Sequence, residues 1–164
     1  RVQPPRPAEA RFVLDTHLGR LATYLRMLGF DARYSRDAAD ADLADISAAE
    51  TRILLTRDRG LLKRTTVRYG YLVRSSDPRE QLVEVLQRYD LSSAVAPFSR
   101  CLHCNAPLRR ADKAEVEDRL PPRTRAVFAD FALCPLCGRI YWPGSHYDDM
   151  RHLIDWALAQ SRQR

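Results

Sequence analysis

Lysine is almost missing from this chain: of its 27 basic residues only Lys63 and Lys113 are lysine, and the rest are arginine. Long apolar runs are missing too. No stretch approaches the ~20 residues that a membrane helix needs, which excludes a helical spanning protein. The opening segment, RVQPPRPAEA, lacks the apolar core of a signal peptide. It also has no initiator methionine. The expectation is a fragment or processed piece of a longer chain, with residues 1–10 as a Pro-rich linker or tail. Beyond that start there is no low-complexity tract and no internal repeat. With 45% hydrophobic and 29% charged residues over 164 positions, wholesale disorder is excluded as well.

What is present is cationic. The net charge is +6 and the isoelectric point is near 9.5. An arginine guanidinium is a planar, permanently charged donor fork that fits phosphate, so a polyanionic partner is the first expectation. Base composition and ordinary solubility would produce the same surplus. The charge is spread evenly: residues 1–90 hold 16 basic and 13 acidic side chains, and residues 91–164 hold 11 and 8.

The four cysteines fall in two pairs, Cys101-Leu-His-Cys104 and Cys134-Pro-Leu-Cys137, the second followed by Gly138. Two intervening residues let both thiolates of one tight turn reach the same ion, and a second such turn completes a tetrahedral shell. A Zn²⁺ held this way organises a segment too small for its own core. Disulfides would need an oxidising compartment, which nothing in the chain indicates, and a cytoplasmic location is expected. Cys101, Cys104, Cys134 and Cys137 are therefore the predicted ligands of a structural zinc ribbon. His103 is the one rival ligand, unnecessary beside four thiolates.

Before the cysteines, short apolar runs alternate with amphipathic stretches. The runs at 12–15, 30–34, 52–56 and 71–74 read as strands. Helices are expected over 18–28, 43–50, 60–65 and 79–88, the last with Asp77 as N-cap and Pro78 in its first turn. This rhythm predicts an α/β fold, a parallel sheet covered by helices on both faces. Downstream, 112–120 reads as a charged helix ended by Pro121-Pro122, and 147–160 as a closing helix with Met150, Leu153, Ile154 and Ala157 on one face.

The acids then acquire positions. Asp15 ends the first strand, Asp58 follows the third, Asp77 follows the fourth, and Asp40 begins the helix after the second. In a parallel sheet all four stand at the carboxyl edge, where doubly wound folds place their sites. Carboxylates gathered there repel unless a cation holds them, and Mg²⁺ or Mn²⁺ takes oxygen ligands and activates water beside a phosphodiester. Any single one of these residues is equally well explained as a cap or turn. Asp31, Asp37, Asp42 and Asp45 are expected on solvated faces or turns.

Together these residues resemble the Mut-seven C-terminal RNase domain family, a PIN-like nuclease fold with an appended zinc ribbon. The resemblance is carried by FVLDTHLGRLA over 12–22, LRMLGFD over 25–31 and RILLTRDRGL over 52–61. It continues in FSRCLHCN over 98–105 and CPLCGRIYWPGSH over 134–146. It implies a PIN-like nuclease domain over 11–90, a linker over 91–99, and a zinc ribbon with a C-terminal helix over 100–164. It implies a Mg²⁺- or Mn²⁺-dependent ribonuclease with Asp15, Asp40 and Asp58 as catalytic acids and Asp77 as a possible fourth. Asp42 competes with Asp40 for the middle position. Arg20, Arg26, Arg57 and Arg59 are the expected phosphate contacts, with surface ion pairs as the competing role, and His17 stands two residues from Asp15.

The implied partner is RNA, with a structured RNA such as tRNA as the guess, and no membrane. Tyr141, Trp142 and His146 either stack on unpaired bases or fill the ribbon's core. The sequence Asp15-Thr-His-Leu-Gly is similar to family members in which a ubiquitin-like domain precedes the nuclease, and such a fusion is expected ahead of Arg1. The alternative functions are an inactive RNA- or protein-binding module of PIN-like fold and a toxin-like nuclease with an antitoxin. Endo- versus exonuclease action and oligomeric state stay open.

Overall fold

Phe12–Leu14 (β1) and Ile53–Thr56 (β3) are buried at every residue, as strands covered on both faces must be. The computed structural model describes residues 6–163, so the first half of the Pro-rich start lies outside the described residues. Ala32–Tyr34 (β2) and Gly70–Leu72 (β4) complete a four-stranded sheet in the order β2-β1-β3-β4, parallel throughout. Side chains alternate across it. Phe12, Leu14, Ile53 and Leu55 enter the larger core, while Val13 and Leu54 enter a smaller one with Leu43 and Leu61.

The helices between the strands are Gly19–Met27 (α1), Asp40–Glu50 (α2), Arg59–Leu62 (α3) and Pro78–Arg88 (α4). Leu21, Leu25, Leu82 and Leu86 place α1 and α4 on the larger core; Leu43 and Leu61 place α2 and α3 on the other. The expected parallel sheet flanked by helices is what forms.

Several boundaries differ from the sequence expectation for local reasons. Leu18, expected to open the first helix, instead ends a 3-10 turn over Thr16–Leu18, which the Asp15 carboxylate tightens by taking the His17 N–H. α2 starts at Asp40, the acid expected to begin it, so the helix extends ahead of the 43–50 stretch and holds Asp40 and Asp42 in its first turn. α3 is one turn rather than 60–65, since no apolar residue between Leu62 and Val67 anchors a second.

The second unit is an antiparallel sheet of Arg109–Ala111 (β5), Phe131–Leu133 (β6) and Ile140–Tyr141 (β7), in that order. The single helix expected over 112–120 divides. Glu115 reaches back to the Asp112 N–H and fixes the short helix Lys113–Val116 (α5), after which Glu117–Arg119 tightens to 3-10. Pro122 then opens a further helix, Pro122–Val127 (α6), so Pro121-Pro122 both ends one helix and starts the next.

The closing helix runs over Ser145–Gln163 (α7), longer than expected. Its Leu153, Ile154 and Ala157 join the core around Phe12, so an element placed by sequence order with the ribbon completes the first unit's interior. Among the described residues no helix is long and apolar enough to cross a membrane.

The two units meet through polar groups that the sequence pattern left on the surface. Asp31, expected on a solvated turn, pairs with the buried Arg52 at 2.7 Å and accepts the Asn105 amide at 2.6 Å. Burial raises its pKa, but the bonds from Arg52 and Asn105 outweigh that and hold it below the usual range. Asn105 occupies the left-handed region at φ 71°, and its side-chain Oδ1 accepts the Ala32 N–H of the sheet's edge strand at 3.0 Å. Replacing Asn105 by Gly keeps that backbone freely accessible and removes only the side-chain bonds. A loss of ~1–3 kcal/mol in urea denaturation is expected.

Candidate functional site

Two places gather chemistry-bearing side chains. In the ribbon, the turns at 101–104 and 134–137 bring four sulfur atoms within 4.8 Å of one another. Cys101 and Cys137 sulfurs stand 3.6 Å apart and those of Cys104 and Cys134 3.2 Å apart. Disulfide bonds are ~2.05 Å, so these are not bonded pairs. A tetrahedron with Zn–S arms of ~2.3 Å has edges of roughly 3.8 Å, which these spacings approach.

The surroundings suit thiolates. The Tyr141 hydroxyl accepts the Leu102 N–H and donates to the Cys101 sulfur at 3.1 Å. Burial pushes the Cys101 thiol up, but the Tyr141 hydroxyl and the Cys104 and His103 N–H groups outweigh it and hold it at about 6. Cys104 moves the other way, raised by burial and by its three sulfur neighbours, a conflict that a divalent cation removes. The donor set therefore fits zinc. His103 is exposed and outside the set.

The second place is the carboxyl edge of the parallel sheet. β1 leads to β2 on one side and β3 lies on the other, so Asp15 stands at the point where strand order reverses. Asp15 is buried, with 7% of its surface exposed. Its Oδ1 accepts the His17 N–H at 2.8 Å and lies 3.0 Å from the His17 ring Nδ1, and its Oδ2 accepts the Thr56 hydroxyl at 2.8 Å. Burial raises its pKa, yet the His17 N–H, the Thr56 hydroxyl and the His17 ring together hold it below the ordinary 3.8. The carboxylate is ionised at neutral pH. His17 itself is 86% exposed rather than packed.

Thr56, which sequence reasoning did not single out, connects two of the acids. Fully buried at the end of β3, it donates to Asp15 while its oxygen accepts the Asp58 N–H at 3.0 Å. Asp58 in turn caps α3 through the Gly60 N–H at 2.8 Å. Asp77 caps α4 through the Glu80 N–H, and Asp40 begins α2; both are exposed on the same edge. The four share an edge without closing into one tight cluster: among the described residues, the cysteines form the one group of three or more ligand atoms within 4.8 Å.

Thr56→Val tests the link. Because Asp15 has a lowered pKa in the folded state, its contribution is full above the ordinary carboxylate value and fades as pH falls through the lowered one. The variant is expected to lose ~1–2 kcal/mol at pH 7, with the gap narrowing toward pH 3, in urea titrations at both values.

The four arginines divide. Arg20 and Arg59 are exposed, Arg59 beside Asp58. Arg26 is buried and donates to the carbonyls of Ala32, Leu102 and His103, so it is a strut between the units and has no surface to offer a phosphate. Arg57 bonds the carbonyls of Arg74 at 2.7 Å and of Ser75, holding the turn that carries Asp77. Glu84 holds the same turn from the other side, accepting the Arg74 and Ser75 N–H groups at 2.9 and 3.0 Å. No periodic signal marks Thr56 or Glu84, because their partners are backbone or side-chain groups brought near only by folding.

In the ribbon, Tyr141 is engaged with Cys101 as described, Trp142 meets Phe131 edge-on at 6.4 Å, and His146 is exposed at the start of α7. No curated protein and no solved structure gives a significant match to the chain. The family model described as the Mut7-C RNAse domain matches residues 10–154, which takes in both the acidic edge and the cysteine ribbon, and the chain belongs to that family.

Proposed function

We propose that the chain is a Mg²⁺- or Mn²⁺-dependent ribonuclease that hydrolyses RNA phosphodiester bonds at the carboxyl edge of its parallel sheet. The observation that carries this reading is Asp15: a buried carboxylate kept ionised at the strand-order reversal and joined through Thr56 to Asp58. Magnesium is commonly held by one or two carboxylates and completes its shell with water and substrate phosphate, so a loose acidic edge suits it. Asp15 and Asp58 are the proposed direct ligands, with Asp40 and Asp77 completing the acidic surface. A cation bound there supplies Lewis-acid stabilisation and a water nucleophile at neutral pH.

The residues do the rest. Thr56 fixes the Asp15 carboxylate, Arg57 and Glu84 fix the Asp77 turn, and Arg20 and Arg59 offer exposed cations to the phosphate backbone. The zinc ribbon is structural and adds arginines to the RNA-binding surface. A structured RNA such as tRNA, met in the cytoplasm, is the proposed substrate class.

The test is to map the ends of RNA incubated with the parent and with Asp58→Asn in Mg²⁺ or Mn²⁺. Products with 5′-phosphate and 3′-hydroxyl ends, seen with the parent and absent with the variant, are expected. Tight RNA binding with no metal-dependent cutting would instead assign a binding module.

A further inference from the structure

The ribbon carries a groove that the zinc site does not explain. Two hollows of ≈ 500 and ≈ 670 Å³ both border Trp142 and share Leu102, Tyr141, Trp142, Tyr147 and Met150 as lining. Their walls are aromatic and already set. Phe98 stacks on Tyr147 with ring centres 4.1 Å apart and planes 30° apart. The Phe98 backbone is itself pinned, its N–H donating to the Met27 carbonyl. Trp142 has Phe131 against it on one side, and a Cβ at Gly144 would stand only 3.2 Å from its indole nitrogen, so the absence of one leaves room for the ring. Trp142 nevertheless stays partly exposed.

The rim is basic. Arg100, Arg109 and Arg110 line one hollow and Arg123 the other, against Asp130 as the one acidic lining residue. Arg109 is paired with Glu115 at 2.7 Å and Arg100 holds the Gly29 and Asn105 carbonyls, so the rim's cationic character rests on Arg110 and Arg123. The Arg110–Asp130 pair is 3.8 Å long with both side chains more than 80% exposed, which neutralises little. An apolar peptide would match the rings and waste the rim. A nucleic acid strand matches both, since bases stack on fixed rings irrespective of sequence while guanidinium groups track phosphate.

We infer that the groove around Trp142 and Tyr147 binds a single-stranded RNA segment at a distance from the cutting site. The choice of RNA as occupant rests on the ribonuclease reading; the groove itself does not. Its linker wall sits on Met27 and Gly29, which lead into the amino end of β2, whereas the carboxylates stand at the opposite edge. A three-residue strand spans ~10 Å, so bases in the groove and the scissile phosphate belong to different nucleotides. A duplex, whose bases are already stacked and hidden, cannot use the rings.

The chain has two tryptophans, and Trp156→Phe leaves Trp142 as the sole reporter. In a protein also carrying Asp15→Asn and Asp58→Asn, so that RNA stays intact, a single strand of about 12 nucleotides is titrated in. Quenching of Trp142 is expected on saturation. By anisotropy of labelled RNA, Trp142→Leu and the pair Arg110→Glu with Arg123→Glu are each expected to weaken binding about tenfold or more, and Trp142→Phe far less. Duplex RNA of the same length should bind weaker by a similar factor. With the acids intact, Trp142→Leu should raise KM for long RNA and leave kcat unchanged.

Saturation without quenching overturns the inference whatever the variants do, and so does equal affinity for duplex and single strand. If the parent cuts RNA while the groove variants bind and cut as it does, the groove fails and the ribonuclease reading stands. If nothing is cut but the quenching and affinity pattern hold, the groove stands and the ribonuclease reading fails.

Discussion

Asp15→Asn is expected to reduce metal-dependent RNA cleavage by about 10³-fold or more while the chain stays folded. The substitution is nearly isosteric and removes one charge. Among the four acids of the edge, that charge is the one for which burial and directed hydrogen bonds are both in place: His17 donates to one oxygen and Thr56 to the other. An amide there can still accept from one side but turns an NH₂ donor toward a second donor, so the connection through Thr56 to Asp58 is weakened as well. Asp58→Asn removes the exposed partner with less effect on stability, because its cap on α3 needs only one acceptor oxygen. Single-turnover assays with labelled RNA across a Mg²⁺ and Mn²⁺ series separate lost metal affinity from lost rate. Asparagine variants that cut like the parent would sink the carboxylate mechanism.

Cys101→Ser is expected to abolish stoichiometric zinc and to unfold the ribbon. Its own hydrophobic cluster is small, with Ala111, Val116, Leu120 and Phe131 as the buried members beside the cysteines. A core of that size does not offset the ordering of a segment this long, and metal binding supplies the difference, commonly ~10 kcal/mol or more for a structural zinc site. Cys101 is buried and tied to Tyr141, so the loss reaches β7 directly. It also reaches the sheet, because Arg26 bonds the carbonyls of Leu102 and His103 and Asn105 bonds the β2 edge. Elemental analysis should give close to one zinc per chain for the parent and far less for the variant. The melting temperature should fall by about 10 °C or more. A variant that melts like the parent without zinc would show that the four sulfurs are not what organises the ribbon.

The parts legible in the sequence were those carried by local pattern. Apolar runs at 12–15 and 52–56 announced strands, and the spacing of Leu18, Leu21, Leu25 and Leu28 announced the first helix. Asp77 before Pro78 announced a helix start, and two cysteine pairs announced a tetrahedral set. Each of these signals has a period or a spacing imposed by backbone geometry. Arg26 and Asp31 were illegible for the opposite reason: a charged residue in an amphipathic stretch reads as solvated, and only folding ties Arg26 to the ribbon's carbonyls and sets Asp31 between Arg52 and Asn105.

The sequence by itself determined the α/β order, the edge on which the acids stand, and the chemistry of the cysteine set, because strand polarity and ligand spacing follow from short segments. The tertiary structure alone decided which acid is buried and ionised, through a threonine 41 residues away. It decided that α7 closes the first unit's core rather than the ribbon's, and that aromatic residues scattered from 98 to 147 meet in one groove. Those outcomes depend on side chains distant in sequence sharing a few ångströms of space, and no local period records that.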